Sequence, residues 1–379
     1  MNIAVDVIAL NGDGSAGGIT WMAMELIKGF ADYGNTNVTV LCRAENIDFL
    51  RTYIGTKVQY KKVSPENKKQ NPNIINRTFN RLMCIKLIKK IIRQGRFDIL
   101  YFPLGVVDYH VRGVKTISTI LDVQHEFYPS FFTKRELIAR RLIYRAIARN
   151  SRKVVCISEY TKKTFCEKYN YPLERAEVIY IAIQNRFDVC DDRILERLDL
   201  RDNGYIIYPA NFWQHKNHKR LISAFAKYGG NSDIKLVLTG NMLSRYEKLS
   251  KYIENSGMQD KIVITGYLDE KQLFALLKCC RGLIFPSLFE GFGIPVIEAM
   301  QLYKPIACSN TTSLPEIGCE SLFYFNPMDE DDICRGIRFV ADTKMTDEMF
   351  NDYNENLKRF DRDSMIEGYM SVFREVCSR

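Results

Sequence analysis

A chain of 379 residues, 46% of them hydrophobic, is long for one core, and a prior of about 150 residues per domain divides it in two. It has no run of about 18 apolar residues and no low-complexity tract, which excludes a helix spanning a bilayer and a disordered chain. The net charge of +9 is concentrated in the first half, and the eleven scattered cysteines show no C-x-x-C spacing.

With no charged-plus-apolar leader after Met1, these cysteines predict a reduced, cytoplasmic setting in which they serve as small core residues. Short apolar strands alternate with amphipathic helices, the pattern of parallel sheets covered on both faces. The expected fold class is α/β, with two Rossmann-like doubly wound domains. In the first half the strands are expected near 3–10, 38–42, 99–102, 116–121 and 154–157. The first strand leads into Asn11-Gly-Asp-Gly-Ser-Ala-Gly-Gly18, where Gly12, Gly14 and Gly17 fit the G-x-G-x-x-G dinucleotide pattern. The second strand, however, is followed by Arg43 and Ala44 where an acid would bind ribose, so the fingerprint is incomplete.

Two basic segments follow, 79–93 and 133–149, both with helical apolar spacing. In the second, Leu137, Ile138, Leu142, Ala146 and Ile147 line one stripe, while Arg140, Arg141, Arg145 and Arg149 crowd the remainder. Two readings stand: a crossover helix with a solvated basic face, or a helix resting on an anionic membrane surface. Without interleaved stacking aromatics, no nucleic acid partner is expected. Between these segments, Leu121-Asp-Val-Gln-His-Glu-Phe-Tyr-Pro129 follows an apolar strand and sets His125 at a strand's carboxyl edge, with a ring expected to titrate near neutrality.

A turn-rich stretch ending in Asp202-Asn203-Gly204 places the domain boundary near 190–200, giving domains 1–192 and 193–360. Strands are expected at 205–208, 235–239, 262–264, 282–285 and 306–308, with helices at about 219–227, 245–254, 270–278 and 295–302. The segment Tyr208-Pro-Ala-Asn-Phe-Trp-Gln-His-Lys-Asn-His218 puts Asn211 and Lys216 just after the first of these strands. Thr265-Gly-Tyr-Leu268 follows a later one. The most informative run is Phe285-Pro-Ser-Leu-Phe-Glu-Gly-Phe-Gly-Ile-Pro-Val-Ile-Glu-Ala-Met300. Gly291 and Gly293 turn the chain after a buried strand, and Pro295 opens a helix whose first N–H groups, near Gly293 and Ile294, form an anion site. Glu290 falls on the loop and Glu298 in the first helical turn. The acidic run Asp329-Glu-Asp-Asp332 precedes a helix and is expected to cap it, so no metal is expected.

This last run resembles the signature of the retaining, sugar-nucleotide-dependent glycosyltransferases of family 4, an E-x7-E pattern inside Pro-Ser-x-x-Glu-Gly-Phe-Gly-x-Pro-x-x-Glu-Ala. The resemblance implies a GT-B fold, two domains facing across a cleft, with a last helix at 361–379 crossing back to the first domain. It implies that Glu290 approaches the donor sugar, that Glu298 binds the ribose hydroxyls, and that the backbone of Gly291, Phe292, Gly293 and Ile294 holds sugar and diphosphate. Lys216 matches the diphosphate-binding lysine, with Asn211 where many members carry an arginine. His125 matches a histidine near the donor, Gly17 and Gly18 a glycine turn near the donor phosphate, and Gly266 and Tyr267 a base-holding loop.

The implied activity is retaining transfer of a hexose, mannose first, from a nucleotide-diphosphate sugar to a lipid-linked or growing surface polysaccharide, without cofactor or metal. Competing expectations are a sugar-nucleotide epimerase or phosphorylase of the same fold, an NAD(P)-dependent dehydrogenase built on Gly12 to Gly17, and a non-catalytic nucleotide-sugar-binding protein.

Overall fold

The computed structural model describes residues 1–10, 18–63, 74–107, 109–183, 190–229, 233–241 and 246–378. They form two compact units, Met1–Ala182 with Arg362–Arg379, and Ile183–Asp361.

The first unit is built on β1 (Asn2–Asp6), β2 (Asn37–Cys42), β3 (Gln59–Lys62), β4 (Ile99–Phe102), β5 (Lys115–Ile120), β6 (Lys153–Cys156) and β7 (Ala176–Val178), in the order β3-β2-β1-β4-β5-β6-β7. All pairings are parallel. The central strands are apolar on both faces because helices cover both, which is why they read as continuous hydrophobic runs. β1 stops at Asp6, short of the expected Leu10, because the Asp6 carboxylate accepts the Ile8 N–H at 2.9 Å and turns the chain. Gly12, Gly14 and Gly17 lie outside the described residues, and Gly18 opens the helix Gly18–Asp32.

The helix Arg362–Ser378 belongs to this unit. Gly29 lets it approach closely, since a Cβ there would sit 2.2 Å from Ile366 Cδ1. Tyr369 and Phe373 pack with Phe30 and Tyr101 in a buried aromatic cluster. Lys115 Nζ donates to the carbonyls of Val376 at 2.8 Å and Cys377 at 3.0 Å, satisfying acceptors that a helix end leaves open. The buried Lys153 is paired with Glu177 and Glu375.

The helix Lys134–Asn150 corrects the expected apolar stripe. Thr133 and Glu136 form a capping box at its start, and the buried side chains are Tyr144 and Ile147. Ile138 and Leu142, expected on the packed face, are 60% and 57% exposed. Tyr144 takes the inward position because its hydroxyl reaches the Asp122 carbonyl at 2.6 Å. Among the described residues, no helix is long and apolar enough to cross a membrane.

The second unit carries β8 (Tyr205–Pro209), β9 (Lys235–Thr239), β10 (Ile262–Gly266), β11 (Gly282–Phe285), β12 (Ile306–Ser309) and β13 (Phe323–Phe325), in the order β10-β9-β8-β11-β12-β13. These pairings are parallel too. Strand order reverses between β8 and β11, and loops leaving the carboxyl ends of two such neighbours are where open α/β sheets bind ligands.

Candidate active site

Both sides of that reversal carry a charged residue. After β8 the chain runs through Asn211 and Trp213 into a short 3-10 turn, Gln214–Lys216, and leaves it through Asn217 in the left-handed region at φ 60°. Asparagine tolerates this backbone better than most residues. Its buried amide donates to the carbonyls of Pro286 at 3.1 Å and Pro327 at 2.7 Å. The buried Tyr208 hydroxyl donates to the Lys216 carbonyl at 2.8 Å and lies 3.0 Å from Ser287 Oγ. The Leu288 N–H donates to the His215 carbonyl at 2.7 Å. The lysine turn is thereby fastened to the loop that leaves β11.

On that loop Glu290 meets the lysine, with Lys216 Nζ 2.5 Å from Glu290 Oε1 and side-chain exposures of 17% and 14%. The Glu290 N–H donates to Thr312 Oγ1 at 3.1 Å, and the buried Ser313 hydroxyl donates to the carbonyls of Glu290 at 3.1 Å and Phe292 at 2.7 Å. Phe292 itself is buried, edge-on against Phe360, so its side chain serves packing. Gly293 caps the helix Ile294–Gln301 with φ 132°, a conformation side chains rarely adopt.

The helix differs from expectation in its start and in the place of Glu298. Because Gly293 admits that φ, the helix starts at Ile294 and Pro295 occupies its second position. Glu298 consequently lies in the second turn, not the first, and is 3% exposed. The N-terminal N–H groups still give this helix a positive end beside Glu290 and Lys216.

Asn211 Oδ1 accepts the Asn241 N–H at 2.8 Å, which fixes the orientation of its carboxamide. Gly266 ends β10 with φ 74°, its carbonyl accepting the Gly240 N–H at 2.9 Å, and Tyr267 beside it is 59% exposed. Asp329 accepts the N–H groups of Asp331 and Asp332, as expected of a cap. Among the described residues, no group of three or more His, Cys, Asp or Glu is placed to hold a metal ion.

His125 belongs to the first unit, on the short helix Gln124–Phe127, and is fully buried. Its Nε2 lies 2.7 Å from the Tyr169 hydroxyl, which donates to Glu126 Oε1 at 2.9 Å, and Arg141 binds the same carboxylate through Nε and Nη2. A carboxylate only accepts, so the tyrosine proton points to Glu126 and its oxygen receives Nε2–H. The neutral ring is then the Nε2–H tautomer, with Nδ1 a buried acceptor that has no partner among the described residues. Burial lowers the His125 pKa to about 4, Glu126 opposing and Arg140 and Arg141 adding to the shift. This corrects the expected titration near neutrality, because a sequence shows the residue but not its desolvation.

Tyr208, Asn217, Thr312 and Ser313 were not singled out from the sequence. Asn217 carried a faint signal, an asparagine closing a turn. Thr312 and Ser313 carried none, since they act through main-chain groups of a segment 22 and 23 residues away.

Two family models match the chain, one described as glycosyl transferases group 1 over residues 192–359 and one as glycosyltransferase family 4 over residues 16–184. Among curated proteins, it is 24% identical over 225 residues to the O-antigen chain mannosyltransferase B of Escherichia coli, covering 58% of this chain and 59% of that protein. It is 24% identical over 247 residues to the O-antigen chain mannosyltransferase RfbU of Salmonella typhimurium, covering 65% and 66%. The match thus spans less than two thirds of the length of these relatives. Among solved structures, Anabaena Alr3699/HepE in complex with UDP-glucose superposes with a TM-score of 0.77 at 16% identity, covering 99% of this chain and all of that one. At that identity the likeness shows a shared fold, the two-domain GT-B architecture.

Proposed function

The chain belongs to the glycosyltransferases of family 4, and from that premise we propose that it moves a hexose, mannose first, from a nucleoside-diphosphate sugar to a hydroxyl of a lipid-linked or growing surface polysaccharide, with retention at the anomeric carbon. The observation that carries this reading is the Lys216 and Glu290 pair beside a helix N-terminus where the second sheet reverses its strand order.

A nucleoside diphosphate brings concentrated negative charge to that spot. Its phosphates take Lys216 and the N–H groups at Gly293 and Ile294, and Asn211 donates to an oxygen without adding charge. Glu298 binds the ribose hydroxyls from the second turn, and the exposed Tyr267 meets the base. Lys216, drawn to the diphosphate, leaves Glu290 to orient sugar hydroxyls and to support the positive charge that develops at the anomeric carbon. The sugar–phosphate bond breaks with both electrons going to the phosphate oxygen. The acceptor hydroxyl attacks from the same face and passes its proton to that oxygen, so no side chain is needed as a base. Lys216 and the helix end supply the neutralisation, and the reading calls on no metal or cofactor. His125, buried and neutral, acts as a positioning residue of the first unit.

The likeness to O-antigen mannosyltransferases supports mannose, and the basic first unit supports work at the membrane. On the helix Lys134–Asn150, the exposed Ile138 and Leu142 lie between Arg135, Arg145 and Arg149, a composition suited to an anionic lipid surface. We place the protein on the cytoplasmic side of the membrane on that basis.

A thermal-shift comparison of GDP, UDP, ADP, NADPH, GDP-mannose and UDP-glucose tests the reading. A ligand at 100 times its dissociation constant adds about 2.7 kcal/mol of stability. Stabilisation by GDP or UDP and their sugars is expected, with nucleoside diphosphate released. Stabilisation by NADPH alone would point to a dehydrogenase, donor conversion with no acceptor to an epimerase, and binding without any turnover to a passive carrier.

A further inference from the structure

We propose that Thr312, with its neighbour Ser313, is the positioning clamp that presents Glu290 to the donor sugar, an inference that rests on the reading of Glu290 given above. Thr312 lies in the left-handed region at φ 59°. The other described non-glycine residues with positive φ are Asn35, Arg96, Asn170, Asp199, Asn203, Asn217 and Tyr303, so Thr312 is the one β-branched residue among them. A branched Cβ clashes most in that region, and a conformation of this kind persists where surrounding contacts impose it, often beside a functional group.

The contacts that impose it are directed at Glu290. The Thr312 hydroxyl donates to the Thr311 carbonyl at 2.7 Å, which turns its lone pairs toward the Glu290 N–H at 3.1 Å. The next residue holds the other main-chain group of Glu290, because Ser313 Oγ, fully buried, donates to the carbonyls of Glu290 and Phe292. Both main-chain groups of Glu290 are therefore gripped by consecutive side chains from the turn after β12. Nearby, Leu314 Cδ2 would lie 2.8 Å from a Cβ at Gly293, so the same turn also packs against the cap of the Ile294–Gln301 helix. The root of the Glu290 side chain is thus fixed while its carboxylate swings. When Lys216 is taken by a diphosphate, Glu290 changes partner by side-chain rotation and the loop stays in place.

The experiment compares Thr312→Ser, which keeps the hydroxyl, with Thr312→Gly, which relieves the backbone and removes it. Glu290→Gln and the double variant Thr312→Gly/Glu290→Gln serve as references. All are measured at a temperature where each is fully folded by circular dichroism. Amide exchange of a peptide containing Glu290 is read by mass spectrometry without substrate, and nucleoside diphosphate release is read with GDP-mannose and with UDP-glucose. Thr312→Ser is expected to match wild type in both readouts. Thr312→Gly is expected to speed Glu290 amide exchange and to lower kcat about tenfold with KM within about twofold, the cost of a loosened reacting group. Adding it to Glu290→Gln should lower kcat no further, since the two act through one side chain. Wild-type exchange in Thr312→Gly, or an equal loss in Thr312→Ser, would overturn the clamp. Wild-type turnover in Glu290→Gln would instead overturn the role given to Glu290, and the exchange measurement would still decide whether Thr312 holds its backbone.

Discussion

Lys216 and Glu290, 74 residues apart in the chain, are each other's counter-ion at 2.5 Å, and each is largely shielded from water. Each residue orients the other. Any anion that binds Lys216 must compete with a carboxylate already in place, which favours a multiply charged ligand over a singly charged one.

Removing one member leaves the other as a shielded, unmatched charge. Lys216→Ala is expected to lower unfolding free energy by about 2 kcal/mol, and adding Glu290→Gln to it, with Glu290→Gln alone as the fourth protein, to recover part of that loss. Urea denaturation of the four proteins of this cycle measures it, and additive losses would count against the pair. The same Lys216→Ala variant should bind GDP and UDP more weakly.

Glu298 is 3% exposed in the second turn of its helix, and the ribose role asks it to accept two hydroxyl donors. Hydrogen bonds to a charged group contribute about 1.5–3 kcal/mol, so Glu298→Gln should weaken nucleoside diphosphate binding by about tenfold to a hundredfold. Titration calorimetry with GDP and UDP gives the answer. Unchanged affinity for both would remove Glu298 from the site.

His125 titrates at about 4 in the folded chain and His218 at about 3, both lowered first by burial, against about 6.5 for an unfolded histidine. Between these values the unfolded chain binds more protons than the folded one. Stability is therefore full above about pH 6.5 and is lost as pH falls toward 4. His125→Gln, which keeps a donor for Tyr169, should lose less stability between pH 7.5 and 5 than wild type, with His218 supplying the remaining slope. Chemical denaturation at the two pH values measures it, and a slope identical to wild type would contradict the assignment. In the pH dependence of turnover, no break near 6.5 should trace to His125.

On the helix Lys134–Asn150, replacing Ile138 and Leu142 by serine removes exposed apolar surface without touching the buried Tyr144 and Ile147. Flotation with phosphatidylglycerol vesicles should fall by about tenfold or more, because burying each such side chain is worth about 1.5–3 kcal/mol. Phosphatidylcholine vesicles should bind the wild type poorly, and salt should weaken the phosphatidylglycerol interaction. Equal flotation of both proteins would leave the helix as a solvated crossover.

What the sequence revealed divides along physical lines. The strands β4 and β11 match their expected limits because a strand buried on both faces must be apolar throughout. The edge strand β3 escaped notice: it is Gln59-Tyr-Lys-Lys62, largely exposed, and its charges belong to a strand that must not pair with other chains. The three-residue β7 and β13 are too short to show a period. Glu290 and Glu298 drew attention because their spacing around glycine and proline is local, and Lys216 because it follows a buried strand. The meeting of Lys216 with Glu290, and the grip of Thr312 and Ser313 on Glu290, depends on which loops the sheet order makes neighbours. The outward turn of Ile138 and Leu142 was missed because a broad apolar stripe allows more than one inward face.

The helix Arg362–Ser378, stapled to β5 and β6 by Lys115 and Lys153, gives the molecule an order of assembly. A ribosome has made the whole of Ile183–Asp361 before this helix emerges, so the later-coded unit can finish folding first. The earlier one waits with Tyr101 and Phe30 lacking their cover. During that interval the nascent chain offers a hydrophobic surface to chaperones, and a stop codon shortly before Arg362 would make the exposure permanent, marking the truncated product for degradation despite an intact second unit.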